Sequence, residues 1–479
     1  MSELPASWQS STLSTVCSKG QYGWTTRASA EGSIKFLRTT DITKGPITWN
    51  SVPYCSDAPS DLSKYLLHAG DILISRAGSV GFSALIQDIP APAVFASYLI
   101  RFVPLDCAEG RYVAYFLRSD DYWHQIGAVS AGIALANVNA AKLADVQLPV
   151  APLPEQRRIA DKLDAVVARV DACRERLDRV PAILKRFREA VLEAAVSGRL
   201  TEEWRESRGR SLDRWSKTTV GTFLIRIEAG VNLQCEERPP GLGEKGLIKI
   251  SAVTWGKFNE EESKTLPKSR EVPESTRITR GDFLMSRANT LELVGACVIV
   301  DKVTLPIYLS DKVWRLLVDE QIKPWLLISL RSRAGRRQIE ELASGNQLSM
   351  RNLSQANLKT IELAMPDPDE RSEIARRVDE LFALADQLEA KYHAAAERVE
   401  KLIPAVLAKA FRGELVAQDP EDEPASVLLE RVRKERETDG RFGLAGRGPG
   451  RRAGSGGRGR ATVKAGGAGK ARGRRGRAS

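Results

Sequence analysis

PLPEQRRIADKLDAVVARVDACRERLDRV, residues 152–180, decides the architecture. Ile159, Leu163, Val166, Val170, Cys173, Leu177 and Val180 alternate spacings of four and three, an unbroken a/d stripe with Arg, Asp, Glu and Lys on the other faces. Pro154 suits the first helical turn, and Pro181 predicts a break or restart. The same stripe returns as Ile374, Val378, Leu381, Ala385, Leu388, Tyr392, Ala395, Val399 and Leu402, its first seven positions displaced by 215 residues. Asp367-Pro-Asp-Glu370 reads as an N-cap followed by Pro at N1 and Glu at N3. Each stripe can pack on its own domain, or the two can pack on each other as an antiparallel coiled coil. Equal register in both copies favours the second arrangement.

Working outward, the whole chain reads as a duplication. AVLEAAVSGRL (190–200) and AVLAKAFRGEL (405–415) share six of eleven positions at the same offset of 215. NVNAAKL (137–143) aligns with NLSQANL (352–358). Further upstream the offset drifts to 211, where HAGDILISRAG (68–78) faces TRGDFLMSRAN (279–289) and FLRTTDIT (36–43) faces LIKISAVT (247–254). Trp8 and Trp215 stand near the two starts. Gly198 and Gly413 suit positions just past a helix end. The period is too long for a solenoid unit, so this is one domain plus one helical segment, copied once, with pseudo-two-fold symmetry.

Residues 1–150 and 201–366 mix short apolar runs (DILIS, SYLIRFV, DFLMS, ACVIV) that read as strands with runs such as YVAYFLR and PWLLISLR that start helices. The expected class is α/β, mixed α+β, for two tandem domains. Helical segments at 151–200 and 367–417 follow them. A tail over 418–479 begins acidic and helical, then becomes Gly- and Arg-rich, a composition expected to be disordered.

With 479 residues, 42% hydrophobic and 28% charged, the composition is ordinary for a globular protein. The net charge of +11 is misplaced for a DNA argument: residues 441–479 hold 12 Lys/Arg and no Asp or Glu, leaving 60 basic against 61 acidic residues before them. No apolar run reaches the ~18 residues of a membrane span, and the opening MSELPASWQSSTLS lacks a secretory pattern. Six scattered cysteines without a C-x-x-C pair, and only three histidines, argue against zinc or disulfides and for a reducing cytoplasm. The cysteines read as small core residues.

Catalytic signatures are lacking. There is no phosphate-binding G-x-x-x-x-G-K-[ST] loop, no Asn/Asp-Pro-Pro-Tyr/Phe methylation motif and no G-x-S-x-G elbow. Pro366-Asp367 followed by Glu389-Ala390-Lys391 imitates a nuclease pattern. Both ends fall on one expected helix, about 30 Å apart, too far to converge on metal ions.

The stretch 152–205, with its Pro-x-x-Glu-Gln helix start, closely resembles the first conserved region of type I restriction–modification specificity subunits. The Gly-Asp-Ile-Leu-Ile-Ser-Arg segment, the Leu-Pro…Trp opening and the two-copy plan fit the same family. The resemblance covers about residues 1–415. The second copy departs from it, with Asp369-Glu370-Arg371 where Pro154-Glu155-Gln156 stands in the first. The resemblance implies two target-recognition domains that read a split, asymmetric double-stranded DNA sequence, held apart by a helical spacer. It implies a bacterial or archaeal cytoplasmic chain without catalysis or a cofactor of its own. Two modification subunits would methylate adenine with S-adenosylmethionine, and restriction subunits, where present, would use ATP and Mg2+. The competing reading is a coiled-coil scaffold carrying two protein-binding domains.

Candidate DNA contacts follow from charge and repeat position. Arg331, Arg333, Arg336 and Arg337 cluster within seven residues and suit phosphate, or a solvated helix face. Arg76 and Arg287 recur after a serine in both copies, fit for a shared phosphate contact, a guanine edge or a structural ion pair. Lys35, Arg38 and Thr39 in one copy, and Lys249, Ser251 and Lys257 in the other, occupy corresponding loops and differ as readers of different bases should; plain surface solvation is the alternative. Asn346 and Gln347 suit adenine edges or an ordinary turn. Asn137 and Asn352 suit a turn or capping role. The basic tail suits salt-sensitive non-specific affinity or an inert extension.

Overall fold

A computed structural model describes residues 4–130, 137–347 and 350–445. The chain divides into two compact units, residues 1–164 with 406–479, and residues 165–405. The expected Gly/Arg-rich run from 446 lies outside the described residues.

In the first unit, Gln9–Thr12 pairs antiparallel with Gln147–Val150, which brings the start of the globular part against its end. A four-stranded sheet runs in the order Gln21–Tyr22, Leu99–Phe102, Ile72–Ser75, Ser83–Leu85. A second runs Ala28–Ser29, Tyr54–Cys55, Lys35–Leu37, Ala93–Phe95, its last pair parallel. Leu37, Leu73, Phe95 and Leu99 pack in one buried cluster supplied by both sheets. The second unit repeats the plan. Ser216–Thr219 pairs with Glu362–Met365, and a sheet runs Arg226–Ala229, Val313–Leu317, Phe283–Ser286, Cys297–Ile299.

The central strands explain the repeated Gly-Asp. Gly70 and Gly281 adopt φ of 95° and 88°, a region that a Cβ disfavours. The carboxylates that follow close the turns, Asp71 accepting from His68 N at 2.9 Å and Asp282 from Thr279 N at 2.8 Å. Each carboxylate also pairs with an arginine on the neighbouring strand, half-buried Arg101 with Asp71 at 3.3 Å and buried Arg315 with Asp282 at 2.8 Å. Arg101 adds Gln21 Oε1 and Leu66 O, and Arg315 adds Glu228 Oε2 and Ser275 O. Each unit thus carries its own copy of a largely buried polar node, tolerable because nearly every donor finds an acceptor.

Both helical segments form. Leu153–Asp178 ends at Arg179, and Val180–Val196 restarts with Pro181 in its first turn. The second copy has alanine at the equivalent position 396, and Pro368–Phe411 runs unbroken for 44 residues. Gly198 and Gly413 both take φ of 75° past the helix ends. Along the stripes, Ile159, Leu163, Val170, Ile374, Val378 and Ala385 are buried. Val166, Leu177, Leu381 and Val399 are half-buried, while Cys173 and Leu388 are exposed. Ile374 and Val378 join Val191, Leu192, Trp325 and Ile328 in one cluster, so this end of the stripe packs within its own unit.

Two arginines make ion pairs that cross between the helical segments inside the second unit. Arg174 holds Glu400 through Nε at 2.9 Å and Nη2 at 3.0 Å, and Arg188 holds Asp386 and Glu389, each at 2.8 Å. Residue numbers rise on one side as they fall on the other. Beyond Gly413 the chain packs on the first unit: Ala425–Ala445 is helical, Leu429 is buried, and Arg436 donates to Ser14 O and Cys17 O.

Candidate DNA interface

The helix starts hold a pair of equivalent carboxylates. Glu155 and Glu370 are 1% and 2% exposed. Trp8 Nε1 donates to Glu155 at 3.0 Å, and Trp215 Nε1 donates to Glu370 at 2.8 Å. The departure at Asp369-Glu370-Arg371 therefore leaves the glutamate's task intact. The remaining partners differ. Glu370 accepts from Thr201 Oγ1 at 2.7 Å and Arg205 Nη1 at 2.6 Å, whereas Glu155 accepts from the neutral Gln418 amide at 2.6 Å. Burial lifts the Glu155 carboxyl above the usual carboxylate range, opposed by its hydrogen bond from Trp8. Gln156 donates to Cys107 O and Ala151 O, while Arg371 in its place meets Met365 Sδ and leaves a buried Nε without a partner.

The arginine cluster splits by helical geometry. Arg331 clamps Cys297 O at 2.7 Å and Gly256 O at 2.5 Å, and Arg336 clamps Val294 O at 2.6 Å and Glu292 O at 3.1 Å. These guanidinium groups tie a strand end and the turns around it within their own unit. Arg333 and Arg337, one turn apart on the helix Arg333–Leu342, point to solvent. Arg337 is 3.7 Å from Glu341, and Arg333 has no hydrogen bond or ion pair among the described residues.

The paired segments expected as loops are not loops throughout, since Lys35 opens the strand Lys35–Leu37 and Thr39 and Ser251 open the short helices Thr39–Ile42 and Ser251–Thr254, and their contacts are mixed. Lys35 donates to Val52 O at 2.7 Å and lies 4.1 Å over the Tyr54 ring. Arg38 closes on Asp41 at 2.9 Å, at the start of the short helix Thr39–Ile42, and the buried Thr39 hydroxyl has no partner. Ser251 donates to Glu262 at 2.6 Å, Lys257 holds Asp386 at 2.7 Å, and Lys249 acts on the Glu237 carboxylate only through charge, with no side-chain hydrogen bond or ion pair among the described residues. Arg76 lies 4.9 Å over the Tyr22 ring with Nε 3.4 Å from Asn137 Oδ1. Its counterpart Arg287 has no side-chain partner among the described residues. Asn137 and Asn352 sit two residues before the helix caps, which are Asn139 and Ser354. Asn346 and Gln347 fall in the strand Ser344–Gln347, and their side chains lie outside the described set.

The nuclease-like pattern does not assemble. Glu389 is held by Arg188, while Asp367 faces Arg210 at 3.8 Å and Arg214 at 3.9 Å. Among the described residues no His, Cys, Asp or Glu group is arranged to hold a metal ion. Cys17, Cys55, Cys107 and Cys297 are buried, Cys235 is half-buried and Cys173 is exposed. Burial pushes the Cys17 thiol up to about 12, which keeps it protonated. No described helix is long and apolar enough to cross a membrane.

The node at Arg101 and Arg315 and the Glu155 and Glu370 clasps escape a reading by charge clusters. Their signal is a lone arginine inside an apolar strand (LIRF, VWRLL) and a glutamate kept at one repeat position.

Residues 5–182 match the family model of the type I restriction modification DNA specificity domain. The chain is 30% identical over 424 residues to the EcoKI specificity subunit of Escherichia coli K12, covering 85% of this chain and 89% of the relative. It is 28% identical over 474 residues to the StySPI specificity subunit of Salmonella potsdam, covering 91% and 97%. Among solved structures, the fold is shared with a chain from a study of assembly and conformational transition of the type I R-M system, at a TM-score of 0.60 and 18% identity over 87% of this chain and 100% of that one. It is shared also with the HsdS subunit from Thermoanaerobacter tengcongensis, at a TM-score of 0.55 and 18% identity over 86% and 98%. The chain belongs to the type I restriction–modification specificity subunits, the family that provides DNA target recognition and leaves catalysis to other subunits.

Proposed function

We propose that this chain reads a bipartite, asymmetric duplex target, one half through residues 1–150 and the other through 201–366, with the spacing set by the helices of 151–200 and 367–417. The opposed ion pairs Arg174–Glu400 and Arg188–Asp386 carry this reading, since they tie the helical segments in antiparallel order. From Ile374 to Leu402 the second stripe rises about 42 Å at ~1.5 Å per residue, and the first rises about 32 Å from Ile159 to Val180, against roughly 34–36 Å for a turn of B-DNA. Solvent-facing Arg333 and unpaired Arg287 suit phosphate oxygens. Two modification subunits using S-adenosylmethionine, and restriction subunits using ATP and Mg2+, act around this chain in the bacterial or archaeal cytoplasm, and the chain itself binds no cofactor. A genome-wide map of N6-methyladenine with and without the gene tests this. Loss of one split motif on deletion is expected. An unchanged map, also after co-expression with modification subunits, would favour a scaffold that binds proteins.

A further inference from the structure

Three stretches far apart in sequence meet on the second unit. Ala288–Asn289 pairs antiparallel with Met350–Asn352, with Asn289 opposite Arg351. Directly opposed residues share a face, so Asn289 and Arg351 lie on the face away from buried Ala288, and Arg287 occupies the bend just before the strand. Asn289 Nδ2 reaches Thr254 Oγ1 at 3.5 Å, and the next residue is Trp255, 75% exposed. Its turn is fixed: Gly256 takes φ of 85°, and its carbonyl is held by Arg331 at 2.5 Å. Two arginines in or next to this strand pair keep unpaired donors among the described residues. Arg287 has no side-chain partner among the described residues, and Arg351 binds Gly345 O through Nη1 while its buried Nε has none.

An indole is a large apolar surface, and leaving it in water forgoes the stabilisation of burial. An exposed indole on a fixed turn, one residue from the Thr254 that Asn289 contacts and joined through Asn289 to a strand pair carrying unpaired guanidinium donors, matches a ligand with flat apolar faces and flanking negative charge, which a loosened base step of duplex DNA offers. The first unit carries no indole at this place: Lys44 stands at the position equivalent to Trp255. Two domains that read different half-sites need such differences.

We propose that Trp255 is the wedge with which the second recognition domain engages a base step of its half-site, with Arg287 and Arg351 on the flanking phosphates. This rests on the DNA-reading function above. Apolar wedges loosen a base step, and base–aromatic contacts carry about 1–3 kcal/mol. The test uses the chain assembled with its modification subunits, on a duplex carrying the methylated motif and on one with the second half-site scrambled. W255A should lower affinity for the true target about ten- to a hundredfold. Its salt slope, its affinity for the scrambled duplex and its assembly without DNA should be unchanged, and W255F should recover most of the loss. R351A should instead reduce the salt slope by about one. Wild-type affinity in W255A overturns the proposal. So does a W255A chain that fails to assemble with the modification subunits in the absence of DNA, which would assign Trp255 to a protein interface. If the wild-type complex itself does not distinguish the two duplexes, the DNA-reading function fails and the proposal falls with it.

Discussion

Gln418 donates to the buried carboxylate of Glu155 at 2.6 Å across 263 positions of sequence. The equivalent carboxylate, Glu370, receives the charged Arg205 instead. Two copies of one clasp are thus closed by different chemistry, and the difference is measurable.

Removing Glu370 strands a buried guanidinium. E370A should destabilise the second unit by about 3–5 kcal/mol, read by denaturant unfolding. Glu155 has only neutral donors. E155Q should stay within about 1 kcal/mol of wild type at neutral pH, because a flipped Gln418 amide still satisfies it.

The pH dependence of the first unit has a definite sign. The folded Glu155 carboxyl titrates above its unfolded value, so the folded state binds the proton more tightly. Its contribution to stability is complete below the ordinary glutamate range and is lost as pH rises through the raised value. Thermal melts from about pH 4 upward should show this slope in wild type and a flatter one in E155Q. Equal slopes would remove Glu155 as the source.

Within the arginine cluster, substitution should separate loop clamps from solvent-facing charges. R331A and R336A leave carbonyls unsatisfied and should lower the melting temperature, each at a cost of about 1–3 kcal/mol. R333A should leave the melting temperature unchanged, weaken DNA binding about equally across sequences and reduce the salt slope by about one. Loss of stability in R333A, or a full salt slope, would count against a phosphate contact.

If helix length sets the spacing, removing one heptad from each helical segment should bring the half-sites closer by about 10 Å, roughly three base pairs. Methylation mapping of such a variant reads the spacer directly. A motif with the original spacing would exclude the helices as its determinant.

How much of this was legible in the sequence depended on periodicity. The stripes from Ile159 and Ile374, the break at Pro181 and the glycines after the helices are local, so their spacing predicts them. The clasp at Glu155 is not local, since it needs Trp8 and Gln418 to meet from far away. The density of Arg331, Arg333, Arg336 and Arg337 suggested one charged patch. The break between two helices at Ser332, and the inward face shared by Arg336 and Ile339, divide it. Exposure of Leu388 within an otherwise apolar stripe has no signature in the sequence at all.

The closure of the first unit by residues beyond 405 has a consequence for synthesis. Ser14 and Arg436 are 422 positions apart. At a ribosomal rate of about 5–20 residues per second, Ser14 waits roughly 20–85 s for its partner. Residues 165–405 are complete before that. The half of the protein that leaves the ribosome first is therefore the half that finishes folding last, and a premature stop just after residue 405 would strip the first unit while sparing the second.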